Sequence, residues 1–310
     1  VHLRFLGTSA GTPTRSRNVT SHALVRDDGR TWILDAGDGT QQQAMRFGLR
    51  AKTVDGILVT HLHSDHCLGL PGLLAWLGIH GRTEPVHVVG PVGLGAWLDL
   101  THRITDTELP FSLVVRELAA DREVLDLPGW RAVAVRIRHR IACWGYVLRE
   151  PDRPRRLLVD KAVALGVPPP LRKRLVRGET ITLEDGRTVE PADCSEPGRP
   201  GRAVVLLGDT DDADAILADA MDCDVLVREA TYAADRDANA RQWGHSTTVM
   251  TGDFAARCRA RHLVATHLSA RYTVPSGGRH PAVEALVAEI QARCPDTRVT
   301  AAKDGLVVEI

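Results

Sequence analysis

The chain has no net charge, with 39 lysine and arginine residues set against 39 aspartate and glutamate residues over 310 positions. Attraction of the whole molecule to a polyanion is therefore excluded, and any affinity for nucleic acid must come from local patches. Lysine is scarce, occurring only at Lys52, Lys161, Lys173 and Lys303. The resulting arginine bias reflects GC-rich coding rather than phosphate recognition and carries no functional weight. No Cys-x-x-Cys occurs. The six cysteines, Cys67, Cys143, Cys194, Cys223, Cys258 and Cys294, are widely spaced, so reduced thiols in a cytoplasmic protein are expected. No apolar run reaches membrane-spanning length and no signal peptide opens the chain, so a soluble protein without a membrane partner is expected. Against these absences, 44% of the residues are hydrophobic, enough for a large core in one domain or two.

Chemistry is concentrated between Thr60 and His66, in Thr-His-Leu-His-Ser-Asp-His. The apolar run Gly56-Ile57-Leu58-Val59 precedes it and reads as a buried strand, so the segment is the loop leaving that strand's end. Alternation along an extended chain sends His61 and His63 to one side, with Asp65 and His66 beyond a turn. Neutral imidazole and carboxylate are zinc ligands, and this spacing offers two ligands to each of two neighbouring ions. A merely polar loop would not need four ligand-type side chains in six positions. Cys67 is a weaker candidate, since a thiolate beside His66 would compete with that arrangement.

Two ions need more ligands than one loop supplies. Val133, Val135 and Ile137 alternate with other residues, and the same parity lands on His139. The run Ala203–Leu207 leads into Gly208-Asp209-Thr210, and Leu263–Thr266 leads into His267. Each run delivers one ligand at its end, where loops share a cleft. Asp209 is the natural bridge, because a carboxylate offers one oxygen to each ion.

These residues lie within longer motifs. The segments Phe5-Leu6-Gly7-Thr8-Ser9-Ala10-Gly11, Arg17-Asn18-Val19-Thr20, Gly208-Asp209-Thr210, Glu229-Ala230-Thr231, Gly244-His245-Ser246-Thr247 and Thr266–Tyr272 follow one another along nearly the whole chain. Together with His-x-His-x-Asp-His they resemble the metallo-β-lactamase superfamily and, within it, the ribonuclease Z family. The resemblance implies an α/β fold, an αββα sandwich formed by a single domain over residues 1–310, with a projecting tRNA-binding arm inserted at about 150–200. It implies two Zn²⁺ per subunit, one held by His61, His63 and His139 and the other by Asp65, His66 and His267, with Asp209 between them. It makes Asp65 the acid/base partner of the attacking water, and Glu229 and His245 the pair that protonates the leaving 3′ oxygen. Asp35 becomes a carboxylate that orients metal ligands. Taken by itself, His245 also reads as a histidine at a helix entry beside Ser246 as cap. Arg228 stands before Glu229 where relatives usually carry histidine, which alters the charge beside the proton relay.

The activity so implied is a zinc-dependent endoribonuclease that removes the 3′ trailer of precursor tRNA. It would leave a 3′-hydroxyl on the tRNA and a 5′-phosphate on the trailer, and would work as a homodimer. The arm corresponds to the charged, Pro- and Gly-rich stretch between Leu148 and Ala203, too long for an ordinary loop. Three prolines, Pro168 to Pro170, lead there into Arg172, Lys173, Arg174 and Arg177, which would neutralise phosphates and make binding salt-sensitive. Arg15 and Arg17 would touch the acceptor stem. A small-ester hydrolase of the same superfamily, and a tRNA-binding protein without turnover, remain as alternatives at this stage.

The periodicity predicts strands near 2–6, 22–26, 31–35, 203–207, 224–228, 262–266, 298–302 and 306–310. Helices are predicted near 40–48, 69–80, 91–103, 213–221, 247–258 and 281–293.

Overall fold

The computed structural model of the protein describes residues 1–273 and 280–310. Two sheets of seven strands dominate it. In the first, Val307–Glu309, His2–Gly7, Ser21–Val25, Thr31–Leu34, Val54–Leu58, Val86–Pro91 and Leu113–Leu118 lie in that order. The pairings are antiparallel as far as Thr31–Leu34 and parallel beyond it. In the second sheet the order is Arg298–Ala301, His262–Thr266, Val225–Glu229, Ala203–Leu206, Cys143–Arg149, Trp130–Ile137 and Arg122–Leu127. Its first four strands run parallel.

Parallel strands covered on both faces lose the alternation of apolar and polar residues and become continuously apolar. Val54–Leu58, Val225–Glu229 and His262–Thr266 are buried at every position. Ala44, Leu70, Leu73, Leu74, Leu77, Leu94 and Leu98, from the helices Thr40–Arg46, Leu70–Ile79 and Leu94–Ile104, pack on Ile33, Ile57 and Val88 of the first sheet. Phe254, Leu286 and Ile290, from Thr248–Cys258 and Val283–Arg293, pack on Val205, Leu226 and Leu263 of the second. The sheets meet between these helical layers, where the Tyr146 hydroxyl donates to the Val59 carbonyl at 2.7 Å. The Trp144 amide donates to the Thr60 carbonyl at 3.0 Å. This is the αββα layering.

Several elements differ from expectation. The predicted helix at 213–221 is one 3₁₀ turn, Asp214–Ile216, followed by further turns. Ala213, Ile216 and Ala220 are buried at helical spacing, but the aspartates around them compete with helical hydrogen bonding. The Asp212 carboxylate takes the Asp214 amide at 2.9 Å. The helix placed near 91–103 begins at Leu94, because Gly93 ahead of it has φ 99°. Strands Val86–Pro91, Leu113–Leu118 and Arg122–Leu127 and helix Asp237–Trp243 were not expected. The last two of these strands alternate irregularly and expose much of their length.

A second compact unit comprises residues 129–131 and 149–202. It has its own small core of Ala162, Val167, Leu175, Ile181, Leu183, Val189 and Cys194. The prolines at 169 and 170 occupy the first turn of helix Pro169–Val176, where no amide donor is needed. Arg172 Nε donates to the Val167 carbonyl at 3.2 Å and Arg174 pairs with Glu179 at 2.8 Å, while Lys173 and Arg177 are exposed.

Candidate metal centre

The ends of the parallel strands and the loops that follow them carry most side chains of the centre. Asp35 follows Thr31–Leu34, His61 to His66 follow Val54–Leu58, and Asp209 follows Ala203–Leu206. Glu229 ends its strand, and His267 follows His262–Thr266. The carboxyl ends of parallel strands are where open α/β sheets gather ligand-binding loops. His139 arrives from the neighbouring strand Trp130–Ile137. Asp35 and His267 hold φ of 55° and 53°, a backbone cost that non-glycine residues carry mainly where the surroundings impose it.

Three nitrogens converge on one point. His63 Nδ1 lies 3.1 Å from His61 Nε2 and 3.2 Å from His139 Nε2. A second point is framed by His66 Nε2, His267 Nε2 and Asp65 Oδ2, with His267 3.3 Å from His66 and 3.2 Å from Asp65. Asp209 Oδ2 stands between the two, 3.7 Å from His61 Nε2 and 3.3 Å from both His66 and His267 Nε2. Two ligands on a tetrahedral zinc, each bonded at about 2.0–2.1 Å, stand roughly 3.3 Å apart. The donor atoms of each of these triads fall within 4.8 Å of one another, so the set fits a divalent cation. Cys67 belongs to no such group among the described residues. Burial pushes its thiol up to about 11, away from the ligating form.

What turns these nitrogens inward is the hydrogen bonding behind them. His66 Nδ1 donates to Asp35 at 2.8 Å, and His139 Nδ1 to the Gly244 carbonyl at 2.7 Å. His267 Nδ1 donates to Thr231 Oγ1 at 2.9 Å, and Thr231 in turn donates to Glu229. His61 Nδ1 donates to Thr60 Oγ1 at 2.9 Å, whose proton goes to Asp35 at 2.9 Å. Such partners select the tautomer with a lone pair on Nε2 and raise ligand basicity. Thr60, Thr231 and the Gly244 carbonyl were missed as functional groups. Their only signal in the sequence was adjacency to His61, Glu229 and His245.

Burial holds His61, His63 and His139 below the ordinary imidazole range, which favours their neutral, ligating form. Burial would also lower His66, but the carboxylates of Asp209 and Asp35 outweigh it and raise the group well above that range. Burial opposes ionisation of Asp209, yet His267 and His66 keep it well below the usual carboxylate range.

Comparison with known proteins agrees with this geometry. The metallo-beta-lactamase superfamily matches residues 17–205. Ribonuclease Z of Limosilactobacillus reuteri (strain DSM 20016) is 36% identical over 302 residues, covering 96% of both chains. Ribonuclease Z of a Synechocystis strain is 38% identical over 312 residues, covering 100% of this chain and 94% of its own. The chain belongs to the ribonuclease Z family. Among solved structures, the short form of human tRNase Z superimposes with a TM-score of 0.70 at 27% identity, covering 100% of this chain and 99% of its own. As a member of this family, the protein is a metal-dependent nuclease of the metallo-beta-lactamase fold.

Beside the candidate metal centre, His245 Nδ1 donates to Glu229 Oε1 at 3.2 Å and lies 3.7 Å from Asp209 Oδ2. The Thr210 amide holds the same Glu229 oxygen at 2.7 Å. Burial lowers His245, but the Glu229 carboxylate prevails and raises it to about 9. The cap of the following helix is Thr247, which accepts the Met250 amide at 3.3 Å, and not Ser246. Ser246 Oγ instead donates to the Thr210 carbonyl at 2.6 Å. Arg228 is fully buried, with its guanidinium 4.6 Å from the Phe254 ring centroid and Nη2 donating to Ser246 Oγ at 3.0 Å. Alternation along the strand turns it to the helical layer, while Glu229 faces the metal centre. Arg17 is tied into the fold through Thr8 Oγ1 at 2.8 Å and the Ala302 carbonyl at 2.6 Å, leaving only Arg15 of that pair exposed.

Asp35 supports His66 directly and His61 through Thr60, so one carboxylate serves both triads. Asp35→Asn is expected to weaken metal affinity by about 10- to 100-fold, read by competition with a chromogenic chelator. Unchanged affinity would show that Asp35 is only a strand-end turn residue.

Proposed function

We propose that this protein cleaves precursor tRNA at its 3′ end, releasing the trailer with a 5′-phosphate and leaving a 3′-hydroxyl on the tRNA. The observation that carries this reading is the convergence of seven metal-ligating side chains beside the His245–Glu229 pair. His61, His63 and His139 would hold one Zn²⁺ and Asp65, His66 and His267 another, with Asp209 shared. When bound, the two cations supply Lewis-acid stabilisation of the phosphoryl oxygens and acidify water.

The protein's own groups do the rest. Asp65 Oδ2 accepts the Gly11 amide at 2.7 Å and faces His267 Nε2, which keeps the carboxylate ionised and aimed to take the proton of the attacking water. The Gly11 loop is anchored in turn, because Asp304 accepts from Thr8 Oγ1 at 2.8 Å and from the Asn18 amide at 2.6 Å. His245 carries the proton for the departing ribose 3′ oxygen, and Glu229 holds its ring in position. This division of labour is that of a general base and a general acid on opposite sides of one phosphorus.

The unit containing residues 149–202 is assigned to gripping tRNA, through Arg172, Lys173, Arg174 and Arg177. Exchanging the four for neutral residues is expected to raise KM, leave kcat largely intact and flatten the salt dependence of binding. An unchanged KM at physiological salt would remove the unit from RNA recognition. Homodimeric assembly belongs to the same proposal and rests on the family resemblance, and a cytoplasmic location rests on the widely spaced, free cysteines; among the described residues no helix is long and apolar enough to cross a membrane.

The direct test is cleavage of a 5′-labelled precursor tRNA carrying a 3′ trailer, with and without chelator. A single chelator-sensitive cut at the trailer junction is expected. No cut by protein verified to hold two metals per chain would point to a small-ester hydrolase instead.

A further inference from the structure

Aromatic residues make up only 4% of the chain, and Trp32, Trp76, Trp130 and Trp144 are buried at 1–7% exposure. Trp243 is different, with 45% of its surface open to solvent. A single exposed apolar side chain is ordinary, so its placement has to carry the argument. Trp243 ends helix Asp237–Trp243, and Gly244 follows with φ 72°. The His245 amide closes back on the Ala240 carbonyl at 2.8 Å, a helix-ending bond that fixes the direction in which Trp243 leaves the backbone.

The same turn is locked to the metal centre. The Gly244 carbonyl accepts from His139 Nδ1, and a Cβ at Gly244 would stand 2.9 Å from that nitrogen and 3.4 Å from Arg140. Only glycine allows the two segments to approach so closely. That approach brings Arg140, the residue after His139, over Trp243, with its guanidinium 5.0 Å from the ring centroid. An exposed indole stacked on an exposed guanidinium therefore stands one residue from each of His139 and Gly244, and two from His245. The His139 and His245 rings are 5.3 Å apart.

We propose that Trp243, with Arg140 stacked against it, is the platform for the unpaired base of the nucleotide whose 3′ oxygen departs. This rests on the precursor tRNA reading above. An aromatic face beside a cation is the chemistry that holds single-stranded nucleic acid without regard to base identity, because every base has a π-face. The leaving-group side follows from His245. The residue that protonates the 3′ oxygen and the platform flank the same glycine, so the ribose bearing that oxygen presents its base toward Trp243. Stacking here positions the scissile bond as well as binding the strand.

The test pairs a change in the protein with a change in the substrate. Trp243→Ala is expected to lower kcat/KM on precursor tRNA by about 5- to 100-fold, and Trp243→Phe to recover most of that loss. Replacing the nucleotide 5′ of the cut by an abasic one should penalise the wild type by a similar factor and Trp243→Ala hardly at all. The abasic substrate keeps the test independent of how well the variant folds. Independent, multiplying losses would overturn the platform, as would an abasic nucleotide on the trailer side that abolishes the difference. A change in oligomeric state of Trp243→Ala at unchanged affinity for RNA would overturn it in favour of a contact between copies of the chain. Failure of the wild type to cut intact precursor tRNA would defeat the underlying reading and the platform with it, whereas cutting with independent losses defeats the platform alone.

Discussion

Asp65→Ala is expected to reduce trailer cleavage by at least about 10³-fold, through loss of a general base together with a metal ligand, while binding of precursor tRNA is largely retained. The Asp65 carboxylate meets the Gly11 amide, His267 and His66, at 2.7, 3.2 and 3.6 Å. Burial would raise its pKa, but the neighbouring His267 and His66 hold it below the usual carboxylate range. No neighbouring group can take over both of its tasks. Asp209, which faces the same histidines, is already engaged by His66, His267 and His61. Single-turnover cleavage, gel-shift binding and metal content by mass spectrometry separate the contributions. Asp65→Asn keeps the shape and one ligating oxygen, so it should retain more metal than Asp65→Ala yet remain as slow in chemistry. Turnover surviving in Asp65→Ala would end the assignment.

The second large effect is expected at His245. Removing a positioned general acid costs about 10² to 10⁴ in rate, and His245→Ala should show a loss in that range with metal content unchanged. Protonation matters only when the leaving group is a poor one. A 3′ ribose oxygen needs it, whereas a nitrophenolate leaves without help. His245→Ala should therefore keep nearly full activity toward an aryl phosphodiester while failing on precursor tRNA. Glu229→Gln should fall in the same direction, and the double variant should be little worse than His245→Ala, because the pair works as a unit. Because His245 also stands 3.7 Å from Asp209 Oδ2, metal content is the decisive control. Loss of an ion in His245→Ala, or equal losses on both substrates, would move His245 from proton donor to metal ligand.

Much of the candidate centre could be read directly because its candidate ligands are close in sequence or end apolar runs. His61, His63, Asp65 and His66 occupy six positions of one loop, and short range makes their proximity a matter of covalent geometry. Asp209 and His267 were legible because the strands before them are buried at every position and carry continuous apolar runs. The same logic failed at 213–221, where the burial pattern was helical but the aspartates turned the backbone into tight turns. Leu113–Leu118 and Arg122–Leu127 escaped because exposed strands carry no clean alternation.

The amino-acid sequence by itself thus determined the strand ends, the ligand types and the family. Their chemistry is local, and the hydrophobic pattern places each loop at the end of a strand. The tertiary structure alone decided how each imidazole is turned. It brought Asp35 behind both His66 and Thr60, the Gly244 carbonyl behind His139, Thr231 behind His267, and the Gly11 amide onto Asp65. It also turned Arg228 toward Phe254 on the face opposite Glu229. Such contacts join residues from about 25 to more than 100 positions apart. Hydrogen bonds of that kind leave no periodic trace along the chain, because only the pairing of distant strands and the folding of the loops that follow them bring their donors and acceptors within 3 Å.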